Sequence, residues 1–161
     1  MSAELERLQQ QTFARATKVT VAAYPAESRL SGPQLAGYLD RRAFAVISST
    51  RPDGRPHAAM SSYIRRDATF WLPTVTGSVR ERNVRAHPWL SLTVTEGDRD
   101  QHVVVLIEGP AAIVSPGDVP ADVRAAVTGD WIGCWLRLDA ASVLSYAAPV
   151  TAAAAGPDGP A

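Results

Sequence analysis

Short blocks of apolar and polar positions alternate along this chain, and the period of each block predicts its element. In residues 3–17, Leu5, Leu8 and Phe13 fall on one helical face. Glu4 and Glu6 come early and Arg15 and Lys18 late, as the helix dipole favours. Tyr24-Pro25 to Ser31 reads as a loop. Ser31-Gly32-Pro33 then opens a second helix, with Pro33 in its first turn and Leu35, Tyr38 and Leu39 facing inward. Ala43 to Thr50 is a β-type run, followed by the turn Arg51-Pro52-Asp53-Gly54-Arg55-Pro56. The pattern predicts a second strand over His57–Arg65, a turn at Arg66-Asp67-Ala68 and a third strand over Thr69–Val75. A short helix over Ser78–His87 precedes a fourth strand over Trp89–Thr95 and a charged loop, Glu96 to Asp100. The fifth strand, Val103–Val114, carries Gly109-Pro110 in its middle, which implies a bend. Pro120–Val127 reads as a short helix, and Trp135–Tyr146 as a last strand with a turn.

Six short strands at hairpin spacing with only short helices predict a small antiparallel barrel. Several strands are almost continuous apolar runs, the pattern of a wall covered by helices or by a second subunit. With 161 residues the chain is expected to form a single domain over residues 1–148, its N-terminal helix and loop filling 1–30. Residues 149–161, rich in Ala, Gly and Pro, read as a disordered tail.

Composition narrows the class. A hydrophobic content of 46% argues against global disorder, and no apolar run approaches membrane-spanning length. Residues 1–16 are polar and amphipathic rather than basic and then apolar, so no signal peptide is expected. Cys134 is the only cysteine, which fits a reducing cytoplasm. Net charge is zero but unevenly spread. Residues 41–85 hold nine arginines against three acids, while residues 86–161 hold three arginines against nine acids. The basic block suggests a small anionic ligand rather than nucleic acid, whose binders are more often basic overall.

That block contains the stretch with the most chemistry. Thr74-Val75-Thr76-Gly77-Ser78 ends a strand in hydroxyls and turns the chain, and an arginine-rich helix follows. Amides at a helix start are unpaired and carry partial positive charge, so with Ser and Thr hydroxyls and Arg80 they offer a seat for a phosphate. The same residues also read as an ordinary Ser78 cap with Glu81 at capping-box spacing. Both readings stand at this point.

The order of motifs adds a resemblance. Asp-Gly-Arg-Pro between strands, then Gly77-Ser78-x-Arg80-x-x-Asn83-Val84, Pro88-x-Leu90-Ser91-Leu92, and Ile107-Glu108-Gly109-x-Ala111, resemble the pyridoxamine 5′-phosphate oxidase-like family. These are flavin and deazaflavin oxidoreductases on a split β-barrel. The likeness runs from about Leu35 to Val114, and more loosely through Leu136–Tyr146. It implies a six-stranded antiparallel split β-barrel of the FMN-binding type, and a homodimer with cofactor at the subunit interface. It implies that Thr74, Thr76, Ser78 and Arg80 hold the cofactor phosphate, with Asn83 beside them, and that the flavin ring lies near Met60, Ser61 and Ser62. Arg80 stands where the family usually has lysine, and the family's Pro-Val-aromatic run is missing at Met60–Ser62. By its own chemistry, Asn83 reads as a cap or tie for its helix ahead of a ligand contact.

The implied cofactor is FMN, with deazaflavin coenzyme F420 as the alternative and haem further behind. The implied activity is transfer of a hydride, or two electrons, to or from a small organic substrate. A non-catalytic flavin or haem carrier, or a cofactor-less dimeric scaffold, are the other readings. For haem, His57, His87 and His102 are the only imidazoles available as axial ligands. The spacing of histidines and cysteine matches no metal site, and no nucleophile motif occurs. Trp131 and Trp135 are candidates for an aromatic over the cofactor or for core packing, with 128–131 as a closing loop. Arg65 and Arg66 fall at a hairpin turn, where charge reversal is expected to matter little.

Overall fold

The computed structural model describes residues 2–148; the expected tail, 149–161, lies outside them. Helix α1 (Ser2–Arg15) buries Leu5, Leu8 and Phe13, the face given by their spacing. A further short helix, α2 (Lys18–Ala23), is capped by Thr17, whose hydroxyl accepts from the Thr20 amide at 3.2 Å. It buries none of its residues, so it leaves no core-facing period in the sequence. Helix α3 (Gly32–Arg41) starts in a full capping box between Ser31 and Gln34 and buries Leu35, Tyr38 and Leu39.

The remaining elements are β1 (Phe44–Thr50), β2 (Pro56–Ser62), β3 (Ile64–Arg66), β4 (Thr69–Thr74), α4 (Val79–Ala86), β5 (Trp89–Gly97), β6 (His102–Val114), α5 (Ala121–Ala126), β7 (Cys134–Asp139) and β8 (Ser142–Ala147). The fold is mainly β: one curled antiparallel sheet, ordered β2-β1-β5-β6-β7-β4-β3, with β8 also on β6. Among the described residues the strand count is eight rather than six, because two predicted strands each divide. The 57–65 run breaks at Tyr63, whose amide donates to Ala43 O at 3.3 Å and whose hydroxyl donates to Leu39 O at 2.6 Å. There the chain leaves β1 and takes β4 as its partner. The 135–146 run breaks after Asp139, where the Ala140 amide donates to Ala68 O and the Ala141 amide to Glu108 O.

Strand β6 curls the sheet. Its first part pairs with β5 and β8, while Ala111–Val114 pairs with β7. The change of partner falls at Gly109-Pro110, the bend expected from sequence. A Cβ at Gly109 would lie 1.9 Å from Asp139 O, so only glycine permits the approach.

Alternation sets the inner face. Ala45, Ile47, Leu90, Leu92, Val94, Val103, Val105, Ile107 and Val143 point inward, under Leu5 and Leu8 of α1 and Leu35 and Leu39 of α3, in one cluster. A one-residue slip in any of these strands would turn this set outward, at roughly 1.5–3 kcal/mol for each large side chain. A smaller cluster, Ile64, Trp71, Val119, Val123 and Trp135, packs α5 and the segment before it against β3, β4 and β7. Helix α4 packs against β1 and β6.

Candidate functional site

The site grows from the end of β4. Thr74 is fully buried opposite Cys134, and its hydroxyl donates to Leu72 O at 3.0 Å. Gly77 turns the chain with φ +79°. Ser78 caps α4, its hydroxyl accepting from the Glu81 amide at 3.3 Å. The reciprocal half of the expected capping box is shifted by one residue. The Ser78 amide donates to Val75 O, and the Glu81 carboxylate instead accepts from the Gly77 amide at 2.5 Å. Glu81 also pairs with Arg85 at 2.7 Å. The Gly77 amide first, then Arg85, holds the Glu81 carboxyl below the usual carboxylate range.

Arg80 is the unusual residue. Its Nη1 is buried with no hydrogen-bond partner, and burial lowers the pKa of the guanidinium. Among the described residues, no carboxylate forms an ion pair with it. Beside it stands Cys134, whose thiol is pushed up by burial and, less strongly, by Glu81. That is the opposite of an activated nucleophile. The amides of Val79 and Arg80 sit at the first helical positions, where no intrahelical acceptor exists. The start of α4 therefore sets a partly buried, unpaired cation within two residues of the Ser78 cap and beside amides that have no intrahelical acceptor. An anion bearing several oxygens is the chemical complement.

The 129–133 segment closes against this spot. The Gly133 amide donates to Thr74 O at 3.1 Å, and a Cβ on Gly133 would lie 2.1 Å from Thr76 Oγ1. Trp131 is 47% exposed and folded over Gly129, whereas Trp135 is buried in the smaller cluster.

Asn83 is 1% exposed, and its amide nitrogen donates to Ser49 Oγ at 2.9 Å, tying α4 to β1. His57 Nδ1 lies 3.5 Å from the same hydroxyl. Thr74, Thr76, Ser78 and Arg80 thus lie at or just before one helix start, with the Thr74 hydroxyl hydrogen spent inside the protein, whereas Asn83 sits one turn further on and faces β1. The β2 candidates sit elsewhere. Met60 is 65% exposed on the outer face of an edge strand. Ser61 is buried and donates to Ser62 O, and Ser62 lines a separate hollow of about 410 Å³ with Tyr63, Arg42 and Arg65.

That hollow overturns one expectation. Arg65 is not a solvated turn residue: its side chain is 8% exposed and forks onto both Asp40 oxygens at 2.9 and 2.6 Å. Arg66 is exposed and pairs with Asp122 at 2.6 Å. A feature the sequence did not resolve is a second basic hollow, of about 280 Å³, lined by Arg51, Asp53, Arg55, Val79, Arg82 and Asn83. The arginine excess over 41–85 was its only signal, since hairpin and helix meet only through the fold. Among the described residues, no group of three His, Cys, Asp or Glu side chains could hold a metal ion.

A family model described as pyridoxamine 5′-phosphate oxidase matches residues 31–154. The chain belongs to the pyridoxamine 5′-phosphate oxidase family. The match spans α3 through β8, and so includes the helix start with Arg80. No curated protein matches this member of the family. Solved structures show the same fold. A conserved hypothetical protein of Mycobacterium tuberculosis is 22% identical, with a TM-score of 0.65 over 77% of this chain and 89% of that one. The haem storage protein HutZ of Vibrio cholerae is 12% identical, with a TM-score of 0.61 over 74% and 96%. An FAD-binding protein of Mycobacterium smegmatis is 18% identical, with a TM-score of 0.58 over 74% and 98%.

Proposed function

We propose that this member of the pyridoxamine 5′-phosphate oxidase family binds a flavin-type cofactor by its phosphate at the start of α4. The flavin would be FMN or a deazaflavin, and the protein would work as an oxidoreductase on a small organic substrate. The carrying observation is the buried, unpartnered Nη1 of Arg80. An unpaired buried guanidinium costs free energy, and a phosphate oxygen at hydrogen-bond distance removes that cost. The amides of Val79 and Arg80, at the first helical positions, would take further oxygens. Solved relatives of the fold named as flavin- and haem-binding proteins lend support from outside the chain.

When bound, the flavin ring supplies the hydride chemistry, which explains why the site needs no acid–base pair of its own. The chain's residues position and shield. Asn83 holds α4 in place, Gly133 lets the 129–133 segment approach Thr76, and Trp131 is an exposed aromatic within that segment. We further propose a homodimer formed through the outer sheet face. The register puts Phe44, Val46, Met60 and Trp89 on that face. Phe44, Met60 and Trp89 are 60, 65 and 51% exposed, an apolar surface that a second copy would cover. Among the described residues no helix is long and apolar enough to cross a membrane, and the free, buried Cys134 fits a cytoplasmic setting.

Haem is the weaker ligand. Of the three imidazoles, His57 lies near Ser49, His87 caps the far end of α4, and His102 stacks on Tyr146 with Nδ1 buried. None adjoins Arg80 in sequence or through a contact described above. The deciding experiment is the visible absorption spectrum of the purified protein before and after adding FMN, deazaflavin or haem. Uptake of a flavin-type chromophore supports the assignment, and a protein that takes up none of the three refutes it.

A further inference from the structure

The hollow of about 410 Å³ beside Ser62 follows from the split in the sheet. Strand β2 ends with Ser62 opposite Phe44 of β1, and β3 begins with Ile64 opposite Trp71 of β4. At Tyr63 the chain crosses from one part of the sheet to the other, and the end of α3 and the end of α5 supply the remaining walls. Fully buried Val123 and the Arg66–Asp122 ion pair at 2.6 Å seat α5 against β3. The hollow falls within the size range of small-molecule sites, about 300–1,000 Å³.

Its charges cancel. Arg42, Arg65 and Arg66 line it, and each is paired with a carboxylate, Glu96, Asp40 and Asp122 in turn. An anion would find no spare cation there and would meet Asp40 in the wall, while a cation would meet three guanidinium groups. Hydrogen-bond donors, by contrast, are left over. The Nε of Arg42 is buried without a partner, its guanidinium carbon 5.1 Å from the centre of the Tyr38 ring. Among the described residues, no hydrogen bond engages the Ser62 hydroxyl. Leu39, Ala43, Ile64, Ala126 and Val127 make much of the remaining lining apolar. A buried donor without an acceptor costs free energy, which a ligand oxygen recovers.

We propose that this hollow binds a neutral organic molecule with an apolar body and a carbonyl oxygen, the oxygen turned to Arg42 and the body against Ile64, Ala126 and Val127. None of the lining residues belongs to the start of α4, so this site stands or falls independently of the flavin reading.

The test is amide chemical-shift NMR on the full chain, without flavin, titrated with acetophenone, benzoate and ethylbenzene. The three share a benzene ring and differ in the side group: a neutral acceptor, a charged acceptor, and none. Acetophenone should shift the amides of Ser62, Ile64 and Val127 saturably. It should bind about two- to tenfold tighter than ethylbenzene, the net worth of one hydrogen bond. Benzoate should bind more weakly than acetophenone. Arg42→Met should bring acetophenone down to the affinity of ethylbenzene, with the thermal midpoint checking that the variant is folded. Ala126→Trp, at an exposed position of the lining, should weaken acetophenone and ethylbenzene alike by filling the hollow, and it keeps the test open if Arg42→Met does not fold. The proposal is overturned by the absence of a saturable shift at those amides, by equal binding of acetophenone and ethylbenzene, or by tighter binding of benzoate. An acetophenone preference that survives in Arg42→Met, or binding that survives in Ala126→Trp, overturns it as well. Uptake of flavin without acetophenone binding leaves the flavin reading in place and removes this one.

Discussion

Replacing Arg80 by methionine separates a ligand role from a structural one. In the free protein the buried Nη1 of Arg80 has no partner, so the side chain contributes a desolvated, unsatisfied charge. Such a group costs about 1–3 kcal/mol, and a methionine of similar length removes it while keeping the packing. Part of the guanidinium is still solvated, which places the expected gain near the low end, about 1 kcal/mol. For a chain of this size that is a rise of roughly 2–4 °C in the thermal midpoint of the ligand-free protein. Phosphate binding should move the other way. Two charge-assisted bonds from one guanidinium are worth about 1.5–3 kcal/mol each, so FMN affinity should fall by about 10²-fold or more. Riboflavin, which lacks the phosphate, should bind both proteins alike. Scanning calorimetry and flavin fluorescence titration read the two effects on the same samples. A lower midpoint in Arg80→Met, or equal losses for FMN and riboflavin, would mean that Arg80 holds the fold together and not a ligand.

Three further substitutions probe the frame around the site. Arg65→Glu sets a carboxylate against Asp40 in place of a buried fork, and should cost about 2 kcal/mol in denaturant unfolding, Asp40 being half exposed; a change under about 0.5 kcal/mol would return Arg65 to the solvated turn. Gly109→Ala drives a methyl onto Asp139 O and should cost about 3 kcal/mol or more, or prevent soluble expression; near-wild-type stability would show that β6 can bend without that approach. Glu81→Gln tests the lowered carboxyl. A depressed folded pKa contributes stability that is full above the unfolded value of about 4.3 and lost as pH falls through the folded one. The variant should be less stable by about 1 kcal/mol at pH 7 and equal to wild type in strong acid, and a difference that does not change with pH would sink the electrostatic account.

Local chemistry made most of the fold legible, and non-local contacts account for the rest. The α1 face, the Ser31 cap, the Asp53-Gly54 turn and the Gly109-Pro110 bend each follow from residues within a few positions of one another, and each appears where its pattern lies. The two strand breaks do not have that character. Tyr63 turns inward because Leu39 O and Ala43 O await it, and Asp139 ends β7 because Ala68 O and Glu108 O take the next two amides. An apolar run by itself cannot announce a change of partner. Arg65 failed for the same reason, since its turn sequence looks solvated while Asp40, 25 residues away, buries it.

The candidate site divides along the same line. Thr76 to Arg80 could be read as an anion seat because a helix start is a local object. Yet what distinguishes Arg80 from an ordinary surface arginine is the burial of Nη1 beside Cys134, a residue brought in by β7. Thr74 shows the converse: its hydroxyl suited a ligand by sequence, but the strand turns it inward onto Leu72 O. The second hollow takes the point further. Arg51 and Arg55 belong to a turn and Arg82 to a helix, and they become one charged cavity only because Asn83 reaches Ser49 across 34 positions. Asn83, whose amide read as a tie for its helix, is the tie, but its partner on β1 is a non-local one. Asn83→Ala should therefore lower the thermal midpoint by roughly 2–4 °C, as about 1 kcal/mol of tie between α4 and β1 is lost, while leaving Arg80 beside Cys134 and FMN binding little changed. A loss of FMN affinity as large as that of Arg80→Met would instead make Asn83 a direct partner of the phosphate.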